Sequence, residues 1–238
     1  MSHVLITGGS RGIGAAMVRA FARAGYTVSF TYLHHQEAAL ALARETGATP
    51  CRADNASEGE VLAALATLTA QNGGVDVLIN NAGIAAFGLL GDTTTEAWHR
   101  MMGVHLDGAF FYTRGVLPHM IRQKAGRILN ISSMWGQVGA SCEVPYSTAK
   151  AGLIGLTRAL AKEVGPSGIT VNCIAPGLID TEMNAALSPS DLDALCEEIP
   201  LGRLGTAEEV AALALFLSGE GGSYITGQVI APNGGMVI

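Results

Sequence analysis

The sequence predicts an α/β domain built on a doubly wound parallel sheet of about seven strands, with helices on both faces. Short apolar runs alternate with helical stretches along the whole chain. The first run passes into a helix through a glycine-rich loop. Hydrophobic residues make up 49% of the 238 and charged residues only 14%, as strands buried on both faces require.

Val4–Thr7 is the first apolar strand and Ala15–Ala24 the first helix, ended by Gly25. Between them lie Gly8, Gly9, Ser10, Arg11, Gly12, Ile13 and Gly14. Glycines at this spacing let the backbone approach a pyrophosphate, and the helix N-terminus attracts its charge. Gly8, Ser10, Arg11, Gly12, Ile13 and Gly14 are therefore candidate cofactor contacts. Tyr26–Tyr32 is the second strand, and no carboxylate follows it until Glu37. An acid there would hold ribose hydroxyls and repel a 2′-phosphate. Its absence, with Arg11, favours NADP(H) without excluding NAD(H), and Tyr32 and His34 join the cofactor set. The alternative for Arg11 is a solvated loop cation, and for His34 an ordinary surface side chain. Gln36–Thr46 is helical, and Ala48–Ala53 is the third strand. Asp54 and Asn55 follow it, where an Asp can hydrogen-bond adenine or cap the helix that starts at Ser57. Val75–Asn80 is the fourth strand, and it leads into Asn81, Ala82 and Gly83, small residues against which a cofactor can lie. Thr95 to about Arg122 is one long helical stretch, kinked or divided, with Pro118 inside.

Gly126–Ser132 reads as a buried fifth strand that ends in a polar loop, with Ser133 at its mouth. Tyr146 follows after twelve intervening residues and Lys150 after three more. Residues four apart on a helix share a face, and Pro145 suits the first turn. Free tyrosine titrates near pH ~10, and an adjacent ammonium favours the phenolate. The pair can then exchange a proton with a carbonyl or alcohol oxygen that Ser133 also holds. The bland alternative is an amphipathic helix whose Tyr and Lys are incidental. Trp135, Cys142 and Glu143 in the connecting loop are candidate substrate contacts. Gly168–Ile174 is the sixth strand, followed by Pro176, Gly177, Ile179 and Thr181. Residues 182–205 read as a lid with a short helix at Ser190–Glu198. Thr206–Leu217 is a helix whose capping box Glu209 completes, and Tyr224–Ile230 is the last strand. With no linker or repeat, residues 1–238 read as a single domain.

The net charge of −6, without a basic block, argues against nucleic acid as a partner. No apolar run approaches the ~18 residues that span a bilayer. The start of the chain enters a strand at once, which reads as the absence of a signal peptide. Cys51, Cys142, Cys173 and Cys196 lie far apart without metal-ligand spacing. They are expected to be free thiols in a cytoplasmic protein that holds no metal.

These motifs together resemble the short-chain dehydrogenase/reductase family. Thr7-Gly8-x-x-x-Gly12-x-Gly14, Asn80-Asn81-Ala82-Gly83, Ser133, Tyr146-x-x-x-Lys150 and Pro176-Gly177 occur in the family's order and spacing, and the likeness covers essentially all 238 residues. The resemblance implies a Rossmann fold with strand order 3-2-1-4-5-6-7, a nicotinamide cofactor and a homo-tetramer. It implies that Tyr146 is the acid/base, that Ser133 polarises the carbonyl, and that Lys150 lowers the tyrosine pKa and binds the nicotinamide ribose. Ile179 and Thr181 would touch the nicotinamide and phosphate side of the cofactor. One departure bears on mechanism: in Val104-His105-Leu106 a histidine stands where the family has the proton-relay Asn, so His105 is a candidate catalytic residue. Pro232-Asn233 replaces the common Val-Asp before the C-terminal glycines.

Within the family the chain is similar to 3-oxoacyl-(acyl carrier protein) reductases. Residues 132–143 and 179–184 are similar to reductases of the 5-aminopentanone group on elongation factor P. The expected function is therefore NADPH-dependent reduction of a small, carrier-bound or protein-bound ketone. Glu143, Asp180 and Glu182 beside the expected pocket favour a cationic amine over an acidic carrier. A non-catalytic dinucleotide sensor is the reading from another class, and the intact Ser, Tyr and Lys argue against it. The apolar Ala151, Leu153, Ile154, Leu156 and Leu160 exceed what one sheet face needs, which agrees with a tetramer.

Overall fold

The computed structural model describes residues 2–182 and 189–238. Its seven strands are β1 (His3–Ile6), β2 (Thr27–Tyr32), β3 (Thr49–Arg52), β4 (Val77–Asn80), β5 (Gly126–Ile131), β6 (Ile169–Ile174) and β7 (Val229–Ile230). All pair in parallel, in the order β3-β2-β1-β4-β5-β6-β7, as expected. The central strands are buried throughout because both faces are covered. On one face Val4, Ile6, Val28 and Phe30 pack against Met17, Val18 and Phe21 of α1 (Gly12–Arg23). Beside α1 lies α2 (Gln36–Thr46). On the other face Leu5, Leu78 and Ile128 meet Leu65 and Leu68 of α3 (Glu58–Asn72). Residues of neighbouring rank along β1 thus feed opposite layers, the period-2 signature of a strand.

The long helix is divided, but not at Pro118. It runs as α4 (Thr95–Met102), a π turn at Gly103–Asp107, and α5 (Gly108–Gln123), with Pro118 inside α5. A β-carbon at Gly103 would press on Ala56, and one at Gly108 on Asn55. These two positions let the helix pass close over the end of β3, and the wider turn between them carries His105.

The loop after β5 holds a helical turn that the sequence did not signal, α6 (Trp135–Val138), before α7 (Val144–Val164). Pro145 sits in the first turn of α7, as expected. Leu153, Ile154 and Leu160 are buried within the monomer, so they do not supply the surplus apolar surface expected of α7. The exposed apolar side chains lie elsewhere, among them Phe110 and Ile121 on α5.

The backbone of α8 spans Pro189–Glu198. The middle of the expected lid, 183–188, lies outside the described residues. Next comes α9 (Ala207–Ser218), whose N-cap Thr206 and Glu209 form the expected capping box. With α1 and α2, α9 completes the first helical layer, and α5 and α7 complete the second.

The last strand is shorter than expected. Gly227 takes φ +71°, which turns the chain, and Tyr224 is fully exposed. Upstream of that turn the pairing to β6 runs through side chains. Val171 N–H donates to Thr226 Oγ1 at 3.1 Å, and Asn172 Nδ2 to Ile225 O at 2.7 Å.

Candidate active site

A cavity of about 260 Å³ opens at the C-terminal ends of the strands, where open parallel sheets bind ligands. Its floor is the glycine loop. Gly8, at φ +65°, lies so close to Ala82 that a β-carbon would come within 2.7 Å of its Cα. A β-carbon at Gly14 would collide with Gly8 O. Thr7 Oγ1 accepts from both Asn81 N–H and Ala82 N–H at 2.9 Å. Asn81 Nδ2 returns hydrogen bonds to Thr7 O and Gly8 O at 2.9 and 3.1 Å. The Asn81 amide therefore holds the loop in shape while the residue lines the cavity. Helix α1 begins at Gly12, inside the loop, and no side chain among the described residues caps its N-terminus. The floor is thus a bare helix end beneath small residues, a fit for a pyrophosphate.

Ser133, Tyr146, Lys150 and His105 meet at one end of the cavity. Ser132 Oγ donates to Lys150 O at 2.8 Å, and Lys150 Nζ donates to Ile131 O at 2.8 Å. These two bonds lock the end of β5 to α7. Ser133 Oγ accepts from Trp135 N–H at 3.2 Å, which orients it at the start of α6. Lys150 Nζ stands 5.5 Å from the centre of the Tyr146 ring. Burial of Lys150 lowers its pKa to about 8.

The expected lowering of the Tyr146 pKa is not found. Desolvation pushes it up to about 12, against the pull of the Ser133 hydrogen bond and with the push of the Glu143 carboxylate. The ammonium of Lys150 is engaged by a backbone carbonyl rather than by the phenol. A phenol so placed is an acid at neutral pH.

His105 packs edge-on against Tyr146, ring centres 5.5 Å apart. Its Nε2 lies 2.8 Å from Ile84 O and 3.1 Å from Ile84 N. Its Nδ1 is buried without a partner among the described residues. Burial and the Lys150 charge lower its pKa to about 3 against the pull of the Ile84 hydrogen bond, so the ring is neutral.

The other end of the cavity is lined by Tyr32, His34, Asp54 and Asn55. Asp54 does not cap α3; Ser57 does, accepting from Glu60 N–H. Arg11 and Thr181 also line the cavity, and Arg11 Nη1 stands 3.5 Å from Glu182. Ser10, Gly12, Ile13, Gly83 and Pro176 take the places the sequence indicated.

Five expected residues do not line the cavity. Gly177 packs against Asn233, and Ile179 is buried in the core. Trp135, Cys142 and Glu143 are not among its lining residues, although the Glu143 carboxylate is near enough to act on the Tyr146 phenol; the loop that carries them holds α6 and a left-handed turn at Cys142 (φ +62°). Cys142 O accepts from Gly88 N–H at 2.8 Å, tying that loop to the one after Gly83. Sequence reasoning missed Arg100, which lines the cavity from α4 and has no motif to mark it.

Residues 8–237 match a family model described as enoyl-(acyl carrier protein) reductase. The chain is 44% identical to an acetoacetyl-CoA reductase of Rhizobium meliloti, over 99% of this chain and 98% of that protein. It is 44% identical to a 3-oxoacyl-[acyl-carrier-protein] reductase of Aquifex aeolicus, over 98% of this chain and 96% of that protein. Among solved structures, a blue fluorescent protein from a metagenomic library, in complex with NADPH, matches with a TM-score of 0.92. The identity is 35%, over 100% of this chain and 98% of that one.

Proposed function

The chain belongs to the short-chain dehydrogenase/reductase family, and we propose that it reduces a ketone with NADPH, as a 3-oxoacyl thioester reductase does. One observation carries the reading: Ser133, Tyr146 and Lys150 converge at one end of a cavity floored by the glycine loop. The names of the two reductase relatives and the NADPH of the metagenomic protein support it. Arg11, with no carboxylate at the end of β2, supports NADPH over NADH.

Bound along this cavity, NADPH supplies a hydride to the carbonyl carbon. The chain's own residues manage the oxygen. Ser133 Oγ–H donates to it and fixes its position. As the carbon gains hydride, the oxygen becomes an alkoxide, a stronger base than phenolate, and it takes the proton of Tyr146. Burial raises the pKa of Tyr146, so the phenol still holds that proton when the alkoxide forms. Lys150, 5.5 Å away, stabilises the phenolate left behind and holds the nicotinamide ribose. The proton returns to the Tyr146 phenolate from solvent, and His105, neutral and packed edge-on against that ring, stands where the family has its relay Asn.

A second reading has support from Glu143. Burial raises the pKa of this carboxyl, and no cation pairs with it among the described residues. A ketone bearing an amine would supply one, such as an aminopentanone on a side chain of elongation factor P. We place either enzyme in the cytoplasm as a symmetric homo-tetramer. Exposed Phe110, Ile121 and Phe216 support the assembly.

Steady-state NADPH oxidation with an acetoacetyl thioester and with an amino-ketone tests these readings. The 3-oxoacyl reading expects the thioester to be turned over with the higher kcat/KM. Preference for the amino-ketone transfers the assignment to the second reading, and turnover of neither overturns both.

A further inference from the structure

We propose that Arg100 is a positioning residue for adenine recognition, holding the Asp54 carboxylate in place for the exocyclic amine of the base. The inference rests on the dinucleotide reading above.

The placement comes from the cavity itself. Ser133, Tyr146 and Lys150 occupy one end and the glycine loop the middle, so the end formed by β2 and β3 is left for the adenosine half. Asp54 stands there, partly buried. Its Oδ1 accepts from Ala56 N–H at 2.9 Å and from Arg100 Nη1 at 2.9 Å, while Oδ2 accepts, among the described residues, from Arg100 Nη1 alone, at 2.7 Å. Acceptor capacity therefore remains on Oδ2. The amine of adenine is a donor, and a fixed carboxylate is its natural partner.

Arg100 comes from a different layer of the fold, 46 positions along the chain. It reaches Asp54 because α4 and the π turn pass close over the end of β3. An ordinary surface ion pair contributes little. This one lines the cavity, and a second anchor from Ala56 fixes the same carboxylate. Asp54 N–H, in turn, donates to Glu60 at 3.0 Å, so the backbone beneath it is held as well. Burial alone would raise the Asp54 pKa; the hydrogen bonds from Arg100 and Ala56 and the nearby Arg100 and His34 charges bring it below the ordinary value, so the acceptor is anionic at neutral pH.

The test compares binding of NADP⁺ with that of 1,N6-etheno-NADP⁺, whose modified base has lost the amine donor. Calorimetry reads the first and the fluorescence of the etheno base the second, on the wild type, Arg100→Met, Asp54→Asn and the double variant. The wild type is expected to bind NADP⁺ about tenfold or more tightly than the etheno analogue, the scale of a charge-assisted hydrogen bond. Arg100→Met should weaken NADP⁺ by about tenfold and the analogue less than twofold. Asp54→Asn should do the same, and the double variant should add little, since both act through one contact. Arg100→Lys, which keeps the charge, should restore part of the discrimination. Thermal unfolding reports whether each variant is folded. Equal weakening of both ligands by Arg100→Met, or no weakening of either, overturns the inference while leaving the reductase reading intact. Failure of the wild type to bind either ligand removes both.

Discussion

His105 is the residue at which the chemistry departs most from its motif. Nε2 is committed to Ile84, Nδ1 has no partner among the described residues, and the ring is neutral. Any part it plays in returning the proton is by hydrogen bonding as a neutral ring, not by taking up charge. His105→Asn keeps a hydrogen-bonding group and should retain most of kcat. His105→Leu leaves the Ile84 backbone unmatched and removes the acceptor, and should lower kcat by roughly tenfold or more. The KM for NADPH should change little. A fully active leucine variant would confine the ring to packing. The site's residues were unequally legible. Ser133, Tyr146 and Lys150 could be read because their spacing on a strand end and one helix face dictates that they meet. The raised pKa of Tyr146 could not, because it depends on burial and on where the Lys150 ammonium points. Arg100 was hidden because its partner lies on another layer. The path of the loop that carries Trp135, Cys142 and Glu143 could not be read, because nothing in residues 134–143 announces α6.

At the scale of elements, those whose ends carry local chemistry matched the reading best. Helix α2 runs from Gln36 to Thr46 as expected, with Gly47 in the left-handed region at its C-terminus. Helix α9 starts behind a complete capping box. The elements misjudged were those whose limits are set by neighbours. The long helix divides at a π turn because its passage over Asn55 and Ala56 fixes where it widens. Pro118, the local signal for a break, is accommodated inside α5. The last strand loses its first half because side-chain bonds, from Val171 N–H to Thr226 Oγ1 and from Asn172 Nδ2 to Ile225 O, join that stretch to β6. The sheet order followed from the family motifs and not from periodicity, which cannot say which strand lies beside which.

The whole molecule keeps polar groups in its interior that tie its stability to pH. His3 is buried between Ser29 and Gly73, with Asp76 and His119 facing it, and burial lowers its pKa. His105 titrates near 3. Both bind a proton in the unfolded chain near pH ~6.5 but not in the folded one, so stability is full above that value and is lost as pH falls below it. For His105 alone the loss at pH 5 should reach about 2 kcal/mol, with His3 adding in the same direction. Urea titrations at pH 7 and pH 5 check this, and equal midpoints at the two values would contradict it. The central claim, that Tyr146 gives the proton to the oxygen of the carbonyl that gains a hydride, is tested most directly by Tyr146→Phe. The substitution keeps the ring and removes the proton. Single-turnover NADPH oxidation should slow by roughly 100-fold or more, with NADPH affinity unchanged by calorimetry. Near-normal turnover in that variant would contradict the account.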